Sequence, residues 1–210
     1  MTSITALELH TDDGLRLEAE LASSDDAPPA AAVVLCHPHP QCGGTMRSIV
    51  ISVLFAELPA AGYPCLRFNF RGVEGSEGSY ASGQGEQTDA IAAVHAMAER
   101  NPGLPIALVG WSFGGDVALA VTDPLLTGWV AIAPPLRILP AYPAARDPRP
   151  KHLVLAEHDE VRDPVDVREE VASWTATSVA VVPGASHFFV GRTDRVLRET
   201  RSGLDRMIAR

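Results

Sequence analysis

The chain has 210 residues, 46% apolar and 20% charged, a balance typical of globular proteins that excludes disordered and fibrous architectures. Its net charge of −9 repels phosphate backbones and anionic lipid surfaces, and no run of Lys and Arg overrides it locally, so neither nucleic acid nor membrane is an expected partner. The cysteines Cys36, Cys42 and Cys65 are an odd, sparse set that reads as free thiols in a reducing compartment. Because Met1 to Glu8 lacks a basic start and an apolar stretch, a cytoplasmic location is expected, and the length fits one domain.

Ile4 to Leu9 and Leu15 to Leu21 alternate in period two around Asp12-Asp13-Gly14, which predicts an antiparallel hairpin. After the Asp25 to Pro29 loop, Ala31 to Cys36 is a continuous apolar strand, as expected where helices cover both faces of a sheet. A helix follows from about Thr45, with Met46, Ile49, Val50, Val53, Leu54 and Leu58 on one face and Gly62 as its stop. Pro59 should remove one of its hydrogen bonds or end it early. Cys65 to Phe70 reads as a strand and Glu86 to Arg100 as a helix, stopped by Asn101-Pro102-Gly103.

The apolar run Ile106 to Val109 leads into Gly110-Trp111-Ser112-Phe113-Gly114, and Gly115 to Val121 continues as a helix. Strands are predicted at Trp129 to Ala133, Leu153 to Ala156 and Val179 to Val182. Asp163-Pro164 is a strong helix start, an aspartate cap followed by a proline suited to the first turn. The closing helix turns Val196, Leu197, Leu204, Met207 and Ile208 inward. Strands alternating with helices predict an α/β fold with a mostly parallel sheet. The one long irregular connection, Pro134 to Pro150, carries six prolines and is too short for a second domain.

G-x-S-x-G between a strand and a helix describes a nucleophile elbow, a sharp turn that presents a serine Oγ to a base. Ser112 is therefore the candidate nucleophile. His187 follows the last strand and is placed to act as its general base. Asp159, a few residues beyond the preceding strand, is the preferred partner to orient His187, with Glu157, Glu160 and Asp163 as rival acids. The chain order Ser, Asp, His is the one a serine hydrolase on a parallel sheet uses. Donors for the negative charge of a tetrahedral intermediate are expected from the Phe113 N–H and from the loop His37 to Gly44, where Pro38 and Pro40 lack an N–H and His39 is the early donor.

These motifs, with Gly43-Gly44-Thr45-Met46, Arg67 to Gly72, Glu157-His158-Asp159 and His187-Phe188-Phe189, make the chain resemble the α/β-hydrolase superfamily over nearly its whole length. More narrowly, it is similar to small, lid-poor bacterial serine hydrolases of loosely defined activity. The resemblance implies an eight-stranded, mostly parallel sheet, no cap domain, a triad of Ser112, Asp159 and His187, and an oxyanion hole of the His39 and Phe113 amides. One departure is Glu74, an extra acid near the expected mouth of the site that counts against anionic substrates.

Two weaker signals are set aside. Gly72 to Gly78 fails the G-x-G-x-x-G spacing, and Cys36 to Cys42 crowds four possible zinc ligands into seven residues stiffened by prolines. His10, His95 and His152 fall on predicted strands or helices and need no role beyond packing or solvation. The expected activity is hydrolysis of a small ester or thioester through an acyl-enzyme, without metal or organic cofactor. Leu136, Ile138, Leu139, Tyr142 and Phe188 are expected to wall an open apolar groove. A non-catalytic binding module and an acyltransferase remain open as alternatives, as does the oligomeric state.

Overall fold

In the computed structural model, which describes residues 1–208, the strands are β1 (Thr2–His10), β2 (Arg16–Ser24), β3 (Ala32–Cys36), β4 (Cys65–Phe68), β5 (Ile106–Trp111), β6 (Leu126–Ile132), β7 (Lys151–His158) and β8 (Thr177–Ser186). They form one eight-stranded sheet in the order β1-β2-β4-β3-β5-β6-β7-β8. β2 pairs antiparallel with β1 and β4, and every pairing from β4 to β8 is parallel. This is the mostly parallel sheet with an N-terminal antiparallel hairpin that the sequence predicts.

Among the described residues, five α-helices flank it: α1 (Ile49–Glu57), α2 (Gln84–Arg100), α3 (Phe113–Ala120), α4 (Pro164–Val171) and α5 (Thr193–Ile208). The two faces of β3 show how the core divides. Ala32, Val34 and Cys36 pack into the layer under α2, α3 and α4, while Val33 and Leu35 pack into the layer under α1 and α5. Successive side chains of a strand point to opposite faces, so a strand covered on both sides must be apolar at every position.

Element ends differ from the sequence reading for local reasons. α1 starts at Ile49 rather than Thr45, because Thr45 to Ser48 closes a separate turn: the Thr45 N–H donates to Ser48 Oγ (3.0 Å), and the Ser48 N–H donates to the Thr45 carbonyl (3.0 Å). Ile49 is consequently 43% exposed instead of buried, and Val53 is half-buried. Pro59 does end α1, opening a 3-10 turn at Pro59–Ala61 whose cap, Gly62, has φ of 86°. Strands β7 and β8 run beyond the predicted Leu153 to Ala156 and Val179 to Val182 at both ends, since only those middle residues form an uninterrupted apolar run and the flanking Lys151, His152, Thr177 and Ser178 are polar. The Asp163 carboxylate accepts the Val165 N–H at 2.8 Å and caps α4 as expected. No helix among the described residues is long and apolar enough to cross a membrane.

Two histidines sit inside this packing. His37, after β3, accepts the Phe70 N–H on Nε2 (3.0 Å) and donates from Nδ1 to the Pro38 carbonyl (2.6 Å). His152, on β7, contacts Ser178 Oγ at 2.8 Å. Burial pulls the pKa of each down to about 4, and for His152 the nearby Arg206 adds to the effect. An unfolded chain protonates both near 6.5, so the stability present above pH 6.5 is lost as the pH falls towards 4. The expected loss at the acid end is about 3 kcal/mol per histidine. Denaturant midpoints measured between pH 6.5 and 4 should fall steeply for the wild type and less steeply for His152→Gln; a flat wild-type profile would contradict this.

Candidate active site

The elbow is built by backbone proximity. β5 ends at Trp111, α3 begins at Phe113, and Ser112 between them has φ of 55° and ψ of −121°. That is an unfavourable conformation for a residue with a Cβ, costing on the order of 1–3 kcal/mol. The surroundings impose it: the Ser112 N–H donates to the Ile132 carbonyl (2.8 Å), and the Ser112 carbonyl accepts from Gly115 (2.8 Å) and Asp116 (3.2 Å). The flanking glycines are required by space. A Cβ at Gly110 would lie 2.0 Å from the Gly114 carbonyl oxygen, and one at Gly114 would lie 2.3 Å from that of Cys36.

Ser112 Oγ lies 2.9 Å from His187 Nε2, and His187 Nδ1 lies 2.9 Å from each Asp159 carboxylate oxygen. The Asp159 Oδ1 atom also accepts the N–H groups of Val161 (2.9 Å) and Arg162 (3.2 Å). A carboxylate so engaged accepts from Nδ1–H, which leaves the Nε2 lone pair to receive the serine hydroxyl proton. The three groups are almost withdrawn from solvent, Ser112 at 8% and His187 at 4% exposure and the Asp159 side chain at 5%.

The rival acids are occupied elsewhere. Glu157 accepts the Gly184 N–H (2.7 Å), Asp163 caps α4, and Glu160 accepts the backbone N–H of His187 (3.0 Å). Glu160 and Trp111 together clamp the His187 backbone, since Trp111 Nε1–H donates to the His187 carbonyl at 3.2 Å. Sequence reasoning missed both clamps. Trp111 lies inside the pentapeptide motif, but no local pattern reveals a bond to a residue 76 positions away.

The loop after β3 is shaped from within. The His39 carbonyl accepts from Cys42 and Gly44, each at 3.0 Å, and a Cβ at Gly44 would lie 2.2 Å from the Pro38 carbonyl oxygen. The His39 ring packs 5.0 Å from Phe113 and accepts the Gln41 N–H on Nδ1 (3.2 Å), while burial lowers its pKa. Among the described residues, the His39 N–H has no backbone acceptor in the loops and turns. The Phe113 N–H, first of α3, has no intrahelical one. Asn69 ties this loop region to the hairpin: its Oδ1 accepts the Met46 N–H (2.8 Å) and its Nδ2 donates to Glu18 (2.7 Å) and Glu74 (2.8 Å).

Ser112 and His187 open onto a cavity of about 430 Å³ walled by Ile49, Trp111, Val161, Arg137, Ile138 and Phe188, among others. Two of the five expected wall residues, Ile138 and Phe188, are present. Leu136, Leu139 and Tyr142 are not, and the reason is Asp116. Buried in α3, its carboxylate accepts the N–H groups of Leu136 (2.9 Å), Arg137 (3.1 Å) and Ile138 (3.0 Å) and the Tyr142 hydroxyl (2.7 Å). Those bonds curl the segment so that Leu136 enters the core, Leu139 packs on Gly83, and Tyr142 stacks near Trp174. Ile49 and Val161 take part instead, the first because α1 starts late.

Gly114→Ala tests whether the elbow depends on that close approach. The added methyl must displace the β3 end, so we expect a stability loss of about 3 kcal/mol or more, read from denaturant unfolding. A variant of wild-type stability would contradict the reading.

Comparison with known proteins agrees with this architecture. Residues 27–161 match the family described as serine aminopeptidase, S33. An uncharacterized protein of Rickettsia prowazekii, RP471, is 32% identical over 191 residues, covering 85% of this chain and 80% of its own. The lid-less α/β serine hydrolase XC6422 of Xanthomonas campestris superposes with a TM-score of 0.88 at 27% identity, covering 97% of this chain and 94% of its own. An α/β serine hydrolase homologue from Coxiella burnetii gives a TM-score of 0.83 at 29% identity, covering 94% and 96%. The chain belongs to the serine aminopeptidase S33 family and has the fold of the lid-less α/β serine hydrolases.

Proposed function

We propose that the protein hydrolyses small carboxylic esters or thioesters through an acyl-enzyme on Ser112. The observation that carries this reading is the unbroken hydrogen-bonded chain from Ser112 through His187 to Asp159 at the wall of a largely apolar cavity. In the first half-reaction, His187 Nε2 removes the hydroxyl proton as Ser112 Oγ attacks the carbonyl carbon. The resulting oxyanion lies between the His39 and Phe113 amides, and each such donor is worth about 100- to 1,000-fold in rate. The His187 imidazolium, stabilised by Asp159, returns the proton to the leaving alcohol or thiol. Water then repeats the sequence against the acyl-enzyme and releases the acid.

The family description includes aminopeptidase activity, which requires a place for a substrate α-ammonium. Here the fixed charge on the cavity wall is Arg137, a cation that repels such a group. The wall therefore supports esters and thioesters over peptides with a free amino terminus.

A fluorophosphonate probe should label the wild type at Ser112 and fail to label Ser112→Ala. Absence of labelling on folded wild-type protein would sink the proposal. Asp159→Asn should lower kcat by roughly 1,000- to 10,000-fold, because it favours the wrong imidazole tautomer. Glu157→Gln and Asp163→Asn should turn over 4-nitrophenyl butanoate like the wild type, and a crippled Asp163→Asn with intact Asp159→Asn would reassign the acid.

A further inference from the structure

We propose that the substrate carries a carboxylate or phosphate beyond an apolar spacer, and that Arg137 receives it. This deepens the ester-hydrolase reading and rests on it. Arg137 lies on the cavity wall with Ser112 and His187, and its side chain is exposed. Its backbone is fixed, since its N–H donates to the buried Asp116 carboxylate at 3.1 Å and those of Leu136 and Ile138 do the same. Its guanidinium, by contrast, has no hydrogen-bond or ion-pair partner among the described residues, whereas Arg47, Arg67 and Arg71 are each held by carboxylates within 2.9 Å.

Among the described residues, the cavity wall includes no aspartate or glutamate, so in a protein of net charge −9 the permanently charged side chain lining it is the cation Arg137. Glu74, which in the sequence argues against anionic substrates, stands off the wall: Arg47 Nη1 lies 3.1 Å from its carboxylate and Asn69 Nδ2 lies 2.8 Å from it. The same cavity is lined by Ile138, Pro135 and Phe188, apolar side chains that suit a methylene spacer rather than a charge next to the scissile bond. An arginine fork meets a carboxylate or phosphate with paired hydrogen bonds, a geometry that a lysine ammonium does not match.

The test compares esters of equal reach that differ in charge, on the acyl side and on the leaving side. The acyl pair is 4-nitrophenyl hydrogen glutarate against 4-nitrophenyl pentanoate, and the leaving-group pair is butanoyl-4′-phosphopantetheine against butanoyl-pantetheine. In at least one pair the wild type should favour the anionic member in kcat/KM. Arg137→Gln should reduce that preference by about tenfold, with Arg137→Lys intermediate. An identical charged-to-neutral ratio in wild type and Arg137→Gln for both pairs overturns the proposal. A second readout needs no turnover: calorimetric binding of methyl hydrogen glutarate and of 4′-phosphopantetheine to Ser112→Ala should, for at least one of them, weaken about tenfold when Arg137→Gln is added. Arginine-dependent binding without hydrolysis of any ester overturns the hydrolase reading and leaves the anion site standing. Turnover of neutral esters with no dependence on Arg137 in either readout overturns the anion site alone.

Discussion

The first turn of α3 lies directly against the end of β3, and the geometry of the site depends on that contact. Gly114 has no room for a side chain beside the Cys36 and His37 carbonyls, and Gly110 has none beside Gly114. The closeness sets two things at once. It forces Ser112 into a left-handed conformation that lifts Oγ towards His187, and it brings the Phe113 amide beside the His39 loop. The backbone strain at Ser112 is offset by the paired strands around it, with β5 hydrogen-bonded between β3 and β6.

Around this contact, buried polar groups fix loops in place of a larger cap. His37 joins the start of the His39 loop to Phe70, Asn69 joins the Met46 turn to the hairpin, and Arg71 pairs with Asp89 of α2 and with Asp13. Each is satisfied by several partners, which is the condition under which a buried polar group stabilises rather than costs. Asp116 does the same on the other rim by gathering three consecutive amides. The Arg67 to Gly72 motif thus supports the walls of the site rather than its chemistry.

Legibility in the sequence followed the range of the interactions. The elbow, the Asp163 cap and the order of strands were readable because glycine spacing, capping residues and apolar runs act within a few residues. The ends of β7 and β8 carry no continuous apolar run, because Lys151, His152, Glu157 and His158 flank the one and Thr177, Ser178, Pro183 and Gly184 flank the other, even where the side chain is buried. The cavity wall was the least readable part. Leu136, Leu139 and Tyr142 are apolar residues in a loop near the nucleophile, which is all a sequence offers, and the carboxylate that turns them away lies 20 to 26 positions earlier. Helical periodicity turns Ile49 inward only for a helix that has already begun at Thr45, whereas α1 begins at Ile49 itself.

By itself the sequence determined the α/β order of elements, the elbow and the short list of groups able to meet Ser112, because backbone sterics and apolar periodicity are local properties. Only the tertiary structure decided among four neighbouring acids that Asp159 meets the His187 ring, and that Glu157, Glu160 and Asp163 each hold a backbone amide instead. It also decided that Arg137 and not Glu74 lines the cavity beside Ser112, since whether a charge is free or paired depends on partners brought together from distant strands.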